Sequence, residues 1–393
     1  MELRTLKELD VAGKQVIVRV DFNVPLDNGK VVEATKITSA LPTIAYLRSQ
    51  HCRIVLLTHL KLLESTAGKV DPAFSLRPVF DYLAEKMTGI RFFPQVPGTP
   101  EAVTASQTLR NGDIALFENL RFNPGEQAND PACGASLAAM GDCVVIEAFS
   151  ECHRKVASMS ILPTLKPSAV GLHMEKEITY LSSVMGKPKR PMVAVIGGAK
   201  ISTKLPVIRS MLEHCDYVLL GGALANTILK AQGIAVGKSL IEESMVASVK
   251  DLSLTTNKLR VPIDVVMATK PEAGIPTQIV AVANVPDDQL ILDIGPETLD
   301  LYNMILQTAG TIVWNGPMGY FELPEFAKGT DELTKDIAGS HAITIAGGGE
   351  TLDAIHNLKL TEKFTFISTG GGAMLKFLEG KPMPGIIPLL KNS

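Results

Sequence analysis

The chain has 393 residues, more than one hydrophobic core usually serves, so two domains are expected. Lysine plus arginine number 38 against 41 acids, and no basic block stands out, which argues against nucleic-acid and membrane-surface partners. Five scattered cysteines argue against a disulfide framework or a zinc site, and no apolar stretch reaches the ~18 residues of a membrane helix. We therefore expect a soluble, cytoplasmic protein.

The first half of the chain alternates short apolar runs with segments of helical periodicity. The predicted strands are residues 15–20, 53–58, 113–118 and 142–147, and the predicted helices between them include residues 39–49 and 76–87. This alternation predicts a mostly parallel sheet with helices on both faces. In such folds ligands bind at the carboxyl ends of the strands.

A helix predicted at residues 171–186 divides the chain. Its apolar positions Met174, Ile178, Leu181 and Met185 recur with helical spacing before Gly186. We expect a domain at 1–170, this interdomain helix, a second domain at 187–372, and a final segment at 373–393 that returns to the first domain. Strands after the helix are predicted at residues 192–196, 217–220, 259–261, 279–282, 311–314, 343–346 and 364–368.

Several polar side chains follow strands of the first half. Asp21 and Asn23 occupy alternate positions in RVDFNVP, so they either face one ligand or form a strand-end turn, and the two interpretations are equally good. His59 closes its strand, although a lone histidine is more often structural than a ligand. Arg121 and Arg154 follow two further strands, and paired arginines at the strand ends of one sheet indicate an anionic small molecule.

Glycine-rich loops follow several strands of the second half. Residues 342–351 read AITIAGGGET, and related loops occur at 197–200, 221–223 and 370–372. Glycines let backbone N–H groups approach an anion at a helix N-terminus, although tight turns also use glycine for packing. Several such loops together indicate one polyphosphate site.

The GGAKISTK stretch places Lys200 and Lys204 on one helix face, so both could meet the same phosphate chain. A solvated lysine pair is the alternative. Neither a P-loop nor a strand-linked G-x-G-x-x-G is present, which leaves no support for an NAD-dependent enzyme.

Taken in order, RVDFNVP, EN-L-RF, GGAK-x-x-x-K, WNGPMG-x-FE, the GGG-acid-Thr loop and STGGGA resemble the motifs of phosphoglycerate kinase over nearly the whole chain. The resemblance implies two Rossmann-like α/β domains, each a mostly parallel sheet flanked by helices, joined by an interdomain helix and a hinge. The N-terminal domain would bind 3-phosphoglycerate or 1,3-bisphosphoglycerate, and the C-terminal domain MgADP or MgATP. A monomeric hinge-bending kinase is implied.

The resemblance also implies roles for individual residues. Catalytic roles fall on Lys36, Arg154, Lys200, Gly371 and Gly372, and Glu350 is the implied ligand of Mg²⁺. The implied substrate-binding residues are Asp21, Asn23, Lys36, His59, Arg121 and Arg154. The implied nucleotide-binding residues are Gly198, Ala199, Lys200, Lys204, Gly222, Leu292, Asn315, Pro317, Glu322, Gly348, Gly349, Glu350 and Thr351.

Several positions depart from the family pattern. Lys36 and Leu62 stand where the family has substrate-binding arginines, so a bidentate fork and a charge are lost there. Glu147 lengthens an aspartate, Glu151 adds a negative charge near an anion site, and Glu350 replaces the aspartate that holds magnesium. These departures leave a second hypothesis open, a catalytically impaired or non-catalytic relative that retains nucleotide binding.

Overall fold

The computed structural model describes residues 2–61, 69–254 and 257–392 of the chain. These residues form two compact units, one of Met1–Thr179 with Pro382–Ser393 and the other of Tyr180–Lys381. The division falls inside the helix Leu172–Gly186, and it assigns residues 373–381 of the predicted returning segment to the second unit. Leu62, the position of a missing arginine, lies outside the described residues.

The first unit is built on a parallel sheet whose central strands are buried apolar runs. The order is β5-β6-β4-β1-β7-β8, and β1 lies between β4 and β7 with Val16 opposite both Ile54 and Cys143. Apolar runs such as QVIVRV are buried along their whole length, as expected where helices cover both faces. The strands are β1 Gln15–Val20, β2 Leu26–Asp27, β3 Lys30–Val31, β4 Arg53–Leu57, β5 Ile90–Phe93, β6 Ile114–Phe117, β7 Cys143–Glu147 and β8 Ser168–Val170; β2 and β3 form a separate hairpin.

Side-chain caps and prolines start several helices of the first unit. Thr99 and Asp130 each accept a hydrogen bond from a backbone N–H of the first turn, and proline opens the helices that follow them. The helices are α1 Thr35–Ser49, α2 Arg77–Lys86, α3 Pro100–Ser106, α4 Pro124–Gln127, α5 Pro131–Ala138, α6 Leu162–Leu165 and α7 Leu172–Gly186, of which α7 continues into the second unit.

The second unit contains a second parallel sheet and a small antiparallel one. The parallel order is β11-β10-β9-β15-β16-β17, and the antiparallel order is β13-β12-β14. The parallel order is that of the doubly wound Rossmann fold. The strands are β9 Met192–Ile196, β10 Tyr217–Leu220, β11 Leu259–Arg260, β12 Asp264–Ala268, β13 Gln278–Ala281, β14 Leu290–Ile294, β15 Thr311–Asn315, β16 Ile343–Gly347 and β17 Phe366–Ser368.

The helices of this unit cover its parallel sheet, and the buried Trp314 on β15 packs in a core with Leu306 and Ile337 from two of them. Trp314 also donates from its indole Nε1 to the Gly316 carbonyl at 2.9 Å, so the ring is buried without losing a hydrogen bond. The helices are α8 Ile201–His214, α9 Gly222–Ala231, α10 Val246–Leu254, α11 Pro296–Thr308, α12 Lys328–Gly339, α13 Gly349–Asn357 and α14 Gly372–Leu378.

The predicted fold class is confirmed, since both units contain a parallel sheet flanked by helices. The predicted strand at 279–282 lies instead in the antiparallel sheet, as β13. Six strands were not predicted: β2, β3, β5, β8, β12 and β14. They are partly exposed, only two or three residues long, or contain an aspartate, and each of these features weakens the apolar pattern.

Candidate active site

In the sheet of the first unit, β1 has β4 on one side and β7 on the other, so the order of strands reverses at β1. Ligands bind outside the carboxyl ends of strands at such a reversal of strand order. Asp21 follows β1 and Glu151 lies on a 3₁₀ turn shortly after β7. His59 and Arg121 follow the neighbouring strands β4 and β6. The predicted substrate residues therefore gather at one edge of this sheet.

Asp21 is buried and accepts several hydrogen bonds. Lys36, on the first turn of α1, donates from its Nζ at 2.6 Å, the Ser150 hydroxyl donates as well, and the Asn23 N–H donates at 3.0 Å. Burial alone would raise the pKa of the Asp21 carboxyl, but the charge of Lys36 and the hydrogen bonds from Lys36 and Ser150 hold this pKa well below its ordinary value. The ammonium of Lys36 is thus paired inside the protein.

Glu151 lies among three side chains that could bind an anion. Its Oε2 accepts a hydrogen bond from Arg121 Nη2 at 3.3 Å, and its Oε1 lies 3.5 Å from both Arg154 Nε and His59 Nε2. The Glu151 side chain is 8% exposed, and that of Arg121 11%. We call these four residues, Glu151, Arg121, Arg154 and His59, the Glu151 cluster.

Arg19 fixes the orientation of the His59 ring. Its Nη2 lies 3.2 Å from His59 Nδ1, and because a guanidinium can only donate, Nδ1 is the acceptor and Nε2 carries the proton. Burial, followed by the charge of Arg19, lowers the pKa of His59 well below its ordinary value, so the ring is neutral. Nε2 is buried, has no hydrogen-bond partner and faces Glu151.

Backbone contacts hold the remaining substrate residues. Asn119 accepts from the Arg121 N–H at 3.0 Å, and the Asn23 side chain accepts from the Lys61 N–H at the same distance. Arg154 is 47% exposed.

Arg19 was not singled out from the sequence, although an arginine inside an otherwise apolar strand is a usable signal.

Glu147 binds groups within the fold, although its place in the sequence motif indicated a position in the substrate site. Its carboxylate accepts from the Thr43 hydroxyl at 2.6 Å and from the His173 and Met174 N–H groups at 2.9 Å. These N–H groups belong to the first turn of α7 and would otherwise lack an intrahelical partner. The carboxylate that we expected to alter the substrate site therefore caps this helix.

In the second unit the order of strands reverses between β9 and β15, and glycine loops follow both. The Gly197 N–H donates to the Asn315 carbonyl at 3.0 Å, and the Gly198 N–H donates to the Pro317 carbonyl at 2.9 Å. A Cβ atom on Gly197 would lie 2.0 Å from the Pro317 carbonyl oxygen, so no other residue fits there. The loop that starts α9 joins them, because the Gly222 N–H donates to the Met318 carbonyl at 2.7 Å.

The two predicted lysines lie in different environments. Lys200 is exposed at the start of α8, whereas Lys204 donates to the Gly197 carbonyl at 2.6 Å and to the Asn315 carbonyl at 3.3 Å. Burial lowers the pKa of Lys204 to about 8, against the opposing charge of Glu350. Lys204 is therefore tied to the glycine loops rather than solvated.

The triglycine loop at the start of α13 is tied to the β15 loop. Asn315 Nδ2 donates to the Gly347 carbonyl at 2.5 Å, and Thr351 Oγ1 accepts from the Gly316 N–H at 2.7 Å. Gly348 has φ +105, and a Cβ there would lie 2.7 Å from Asn315 Nδ2. Asn315 and Thr351 thus hold the loops together, while Gly349 and Glu350 are exposed on the first turn.

A cavity of about 530 Å³ opens beside these loops. Among its lining residues are the predicted Gly198, Ala199, Gly222, Leu292, Pro317, Glu322 and Glu350. One wall is apolar, and it includes Val265 on β12 and Leu290, Ile291 and Ile294 on β14. Sequence reasoning did not find this wall beyond Leu292, because it missed both strands that form it.

The predicted Gly371 and Gly372 lie after β17, where α14 begins at Gly372. Gly371 has φ +50, and the Gly370 N–H donates to the Ser368 hydroxyl at 3.1 Å. Glycine supplies the positive φ that this sharp turn into the helix requires.

The predicted magnesium ligand, Glu350, is a single exposed carboxylate. Within residues 2–61, 69–254 and 257–392, no group of three or more His, Cys, Asp or Glu side chains could hold a metal ion alone. Magnesium usually binds through one or two carboxylates together with substrate phosphates, and Glu350 offers one exposed carboxylate at the cavity.

No helix in the described part of the chain is both long and apolar enough to cross a membrane.

Comparison with known proteins decides the family. The phosphoglycerate kinase family model matches residues 6–381. The chain belongs to this family. It is 44% identical over 394 residues to the phosphoglycerate kinase of Moorella thermoacetica, covering 99% of each chain. The solved phosphoglycerate kinases of Coxiella burnetii and Pyrococcus horikoshii share 35% and 30% identity with it, over 98% of each chain, with TM-scores of 0.89 and 0.86.

Family membership confirms the function predicted from the sequence, a phosphoglycerate kinase, and with it the enzyme class, a phosphotransferase with a carboxyl group as acceptor. None of these similarities favours the catalytically impaired alternative.

Proposed function

We propose that the two strand-end sites bind the two substrates of a reversible reaction, in which 1,3-bisphosphoglycerate and MgADP give 3-phosphoglycerate and ATP. The observation that carries the assignment is the contrast between the sites. The first unit gathers arginines and a histidine N–H at the reversal of its strand order. The second places glycine loops and a cavity of about 530 Å³ at its own reversal.

In the first unit, Arg121 and Arg154 provide planar forks for the phosphate or carboxylate of the substrate. His59 is neutral with its proton on Nε2, so it donates a hydrogen bond to that anion. Asp21 and Asn23 accept hydrogen bonds and orient the substrate, and Lys36 supplies a positive charge beside Asp21.

In the second unit, the apolar wall of the cavity suits the flat face of a nucleotide base, and Leu292 lies in that wall. Glu322 lies at the same cavity as a polar partner for the sugar. Gly198, Ala199, Gly222 and Pro317 bring backbone close to the phosphates. Asn315, Gly348, Gly349 and Thr351 shape the neighbouring loop, and Lys204 adds charge beneath it.

Phosphoryl transfer requires little covalent chemistry from the protein. The protein has to align the reactants and neutralise the charge on the transferring group. We assign neutralisation to Lys36, Arg154 and Lys200, together with the start of α14 at Gly371 and Gly372. Glu350 would hold a magnesium ion, which neutralises nucleotide phosphates when bound. Hinge bending, a monomeric state and a cytoplasmic location stay predictions.

A coupled assay of the purified chain in both directions, with a magnesium titration, tests this function. We expect turnover that requires magnesium and falls by a factor of about 100 or more in Arg154→Met, since a charge-neutralising contact is lost. A folded protein without turnover would contradict the proposal. Calorimetric binding of MgADP without binding of 3-phosphoglycerate would instead support the impaired alternative.

A further inference from the structure

The Glu151 cluster is an anion site that already contains an anion of the chain itself. Arg121 and Arg154 both approach the Glu151 carboxylate, at 3.3 and 3.5 Å. His59 turns the protonated Nε2 of its ring toward the same carboxylate at 3.5 Å, but the two groups form no hydrogen bond. These are the groups to which the proposed function assigns the anionic end of the substrate.

The fit of Glu151 to this position is incomplete. Its hydrogen bond to Arg121 is long for a charge-assisted bond, which ordinarily measures about 2.7–2.9 Å. The buried Nε2 of His59 remains without a hydrogen-bond partner. A phosphate or carboxylate of a ligand could satisfy this N–H and accept closer bonds from the guanidinium groups. The site is therefore only partly satisfied by its internal carboxylate.

The 3₁₀ turn Phe149–Glu151 fixes the backbone of Glu151 directly after β7, so only rotation of the side chain could carry its carboxylate away from the site. The neighbouring Ser150 further anchors this turn through its hydrogen bond to Asp21. A substrate anion bound by Arg121, Arg154 and His59 would therefore lie close to the Glu151 carboxylate in its observed position. Two like charges a few ångströms apart in a partly buried site repel each other strongly.

We propose that Glu151 is a specificity-determining residue of this site: its carboxylate competes with the anionic group of phosphoglycerate for Arg121, Arg154 and His59. This inference rests on the proposed function of the first unit. Binding of substrate exchanges an internal ion pair for an external one, so the affinity for the substrate is lower than the arginines alone would give. The carboxylate also stabilises the substrate-free protein, because without it the guanidinium charges would lie close together and unpaired.

The test compares wild type with Glu151→Gln, which keeps the size of the side chain and removes its charge. We expect the dissociation constant of 3-phosphoglycerate, measured by calorimetry, to fall by a factor of about 10 or more. The KM for 3-phosphoglycerate should fall likewise, while that for ATP stays unchanged. Glu8→Gln is the matched control, since it removes the same charge from an exposed pair with Lys391. Glu151→Thr is a second variant, which removes the carboxylate and shortens the side chain.

Thermal unfolding separates competition from a purely structural role. Without ligand, Glu151→Gln should unfold at a lower temperature than wild type, and 3-phosphoglycerate should raise its Tm more than it raises that of wild type. Unchanged or weaker binding in both Glu151 variants, or equal tightening in Glu8→Gln, would overturn the inference. Absence of turnover and of 3-phosphoglycerate binding in wild type would instead count against the proposed function itself.

Discussion

The two candidate sites are built from different parts of the chain. In the first unit, charged side chains form the site, and the chain pairs them internally: Lys36 with Asp21, and Arg121 and Arg154 with Glu151. In the second unit, backbone groups of glycine loops form most of the site, and Lys204 donates to carbonyl groups rather than to a carboxylate. One site depends on charge balance, the other on the close approach of backbone segments.

This difference explains where departures from the family pattern can be accommodated. A side-chain site can change its charges while the sheet beneath it stays the same, and Lys36 and Glu151, two of the positions that depart from the family pattern, both form internal contacts. A backbone site offers no such freedom, because added atoms collide with neighbouring backbone. The substitution at Glu350 is consistent with this, since its side chain is exposed.

The largest effect is expected from Gly348→Ala in the second unit. The residue has φ +105, which costs an alanine roughly 1–3 kcal/mol, and the new Cβ would lie 2.7 Å from Asn315 Nδ2. Displacing Asn315 also breaks its bond to the Gly347 carbonyl, at about 1 kcal/mol. We expect a loss of about 3 kcal/mol in the free energy of unfolding, measured by urea denaturation.

The adjacent glycine provides the control for this prediction. A Cβ added to Gly349 would have no heavy atom within 4 Å, and the residue begins α13, where alanine is a better helix former. Gly349→Ala should therefore leave the free energy of unfolding within about 0.5 kcal/mol of wild type. Equal losses in both variants would show that the loop does not depend on the close approach at Gly348.

A somewhat smaller effect is expected from Glu147→Ala in the first unit. This variant leaves the buried Thr43 hydroxyl and the His173 and Met174 N–H groups without their acceptor. We expect a loss of about 2–3 kcal/mol in the free energy of unfolding. Unpaired buried polar groups each cost about 1–3 kcal/mol, and the variant recovers part of this sum because the desolvated Glu147 carboxyl is removed with its raised pKa. The affinity of the folded variant for 3-phosphoglycerate should stay unchanged.

Lys176→Ala, an exposed change on the same helix, should cost at most about 0.5 kcal/mol. Weaker substrate binding by Glu147→Ala at normal stability would place Glu147 in the substrate site after all. Glu147 would then no longer illustrate a carboxylate that stabilises the fold without affecting substrate binding.

The Glu147 case shows what the sequence could and could not predict. The parallel sheets were predictable because β1, β4, β9 and β15 are long apolar runs, and polar residues after them mark the strand ends. The cap formed by Glu147 was not, because its partners Thr43 and Met174 are far away in sequence. Only the folded chain brings them together.

The same limit applies within the sites. A gathering of Arg121, Arg154 and His59 at one sheet edge followed from the strand pattern, but the contact of all three with Glu151 depends on side-chain directions that no spacing encodes. The apolar wall of the cavity was missed for a related reason. Asp293 interrupts the apolar run of β14, and its carboxyl is buried against the Gly329 N–H at 2.6 Å.

The smallest effect concerns Lys204, the half-buried lysine of the second unit. Burial lowers its pKa to about 8, so raising the pH through 8 removes the positive charge beneath the glycine loops. If that charge contributes to nucleotide binding, the dissociation constant of ADP should rise about tenfold between pH 7.5 and pH 9, because about nine-tenths of the side chain is then neutral. Calorimetry at constant magnesium and ionic strength measures this change.

Two variants decide whether Lys204 is the cause. Lys204→Arg stays charged throughout this pH range and should flatten the dependence, whereas the exposed Lys230→Arg should leave it as in wild type. Stability should respond with the opposite sign: the unfolded chain holds this proton up to a pKa near 10.5, so the contribution of Lys204 to stability rises from about pH 8 upward. An affinity independent of pH in wild type would leave Lys204 a structural tie between the loops, and the second site would then depend on its backbone alone.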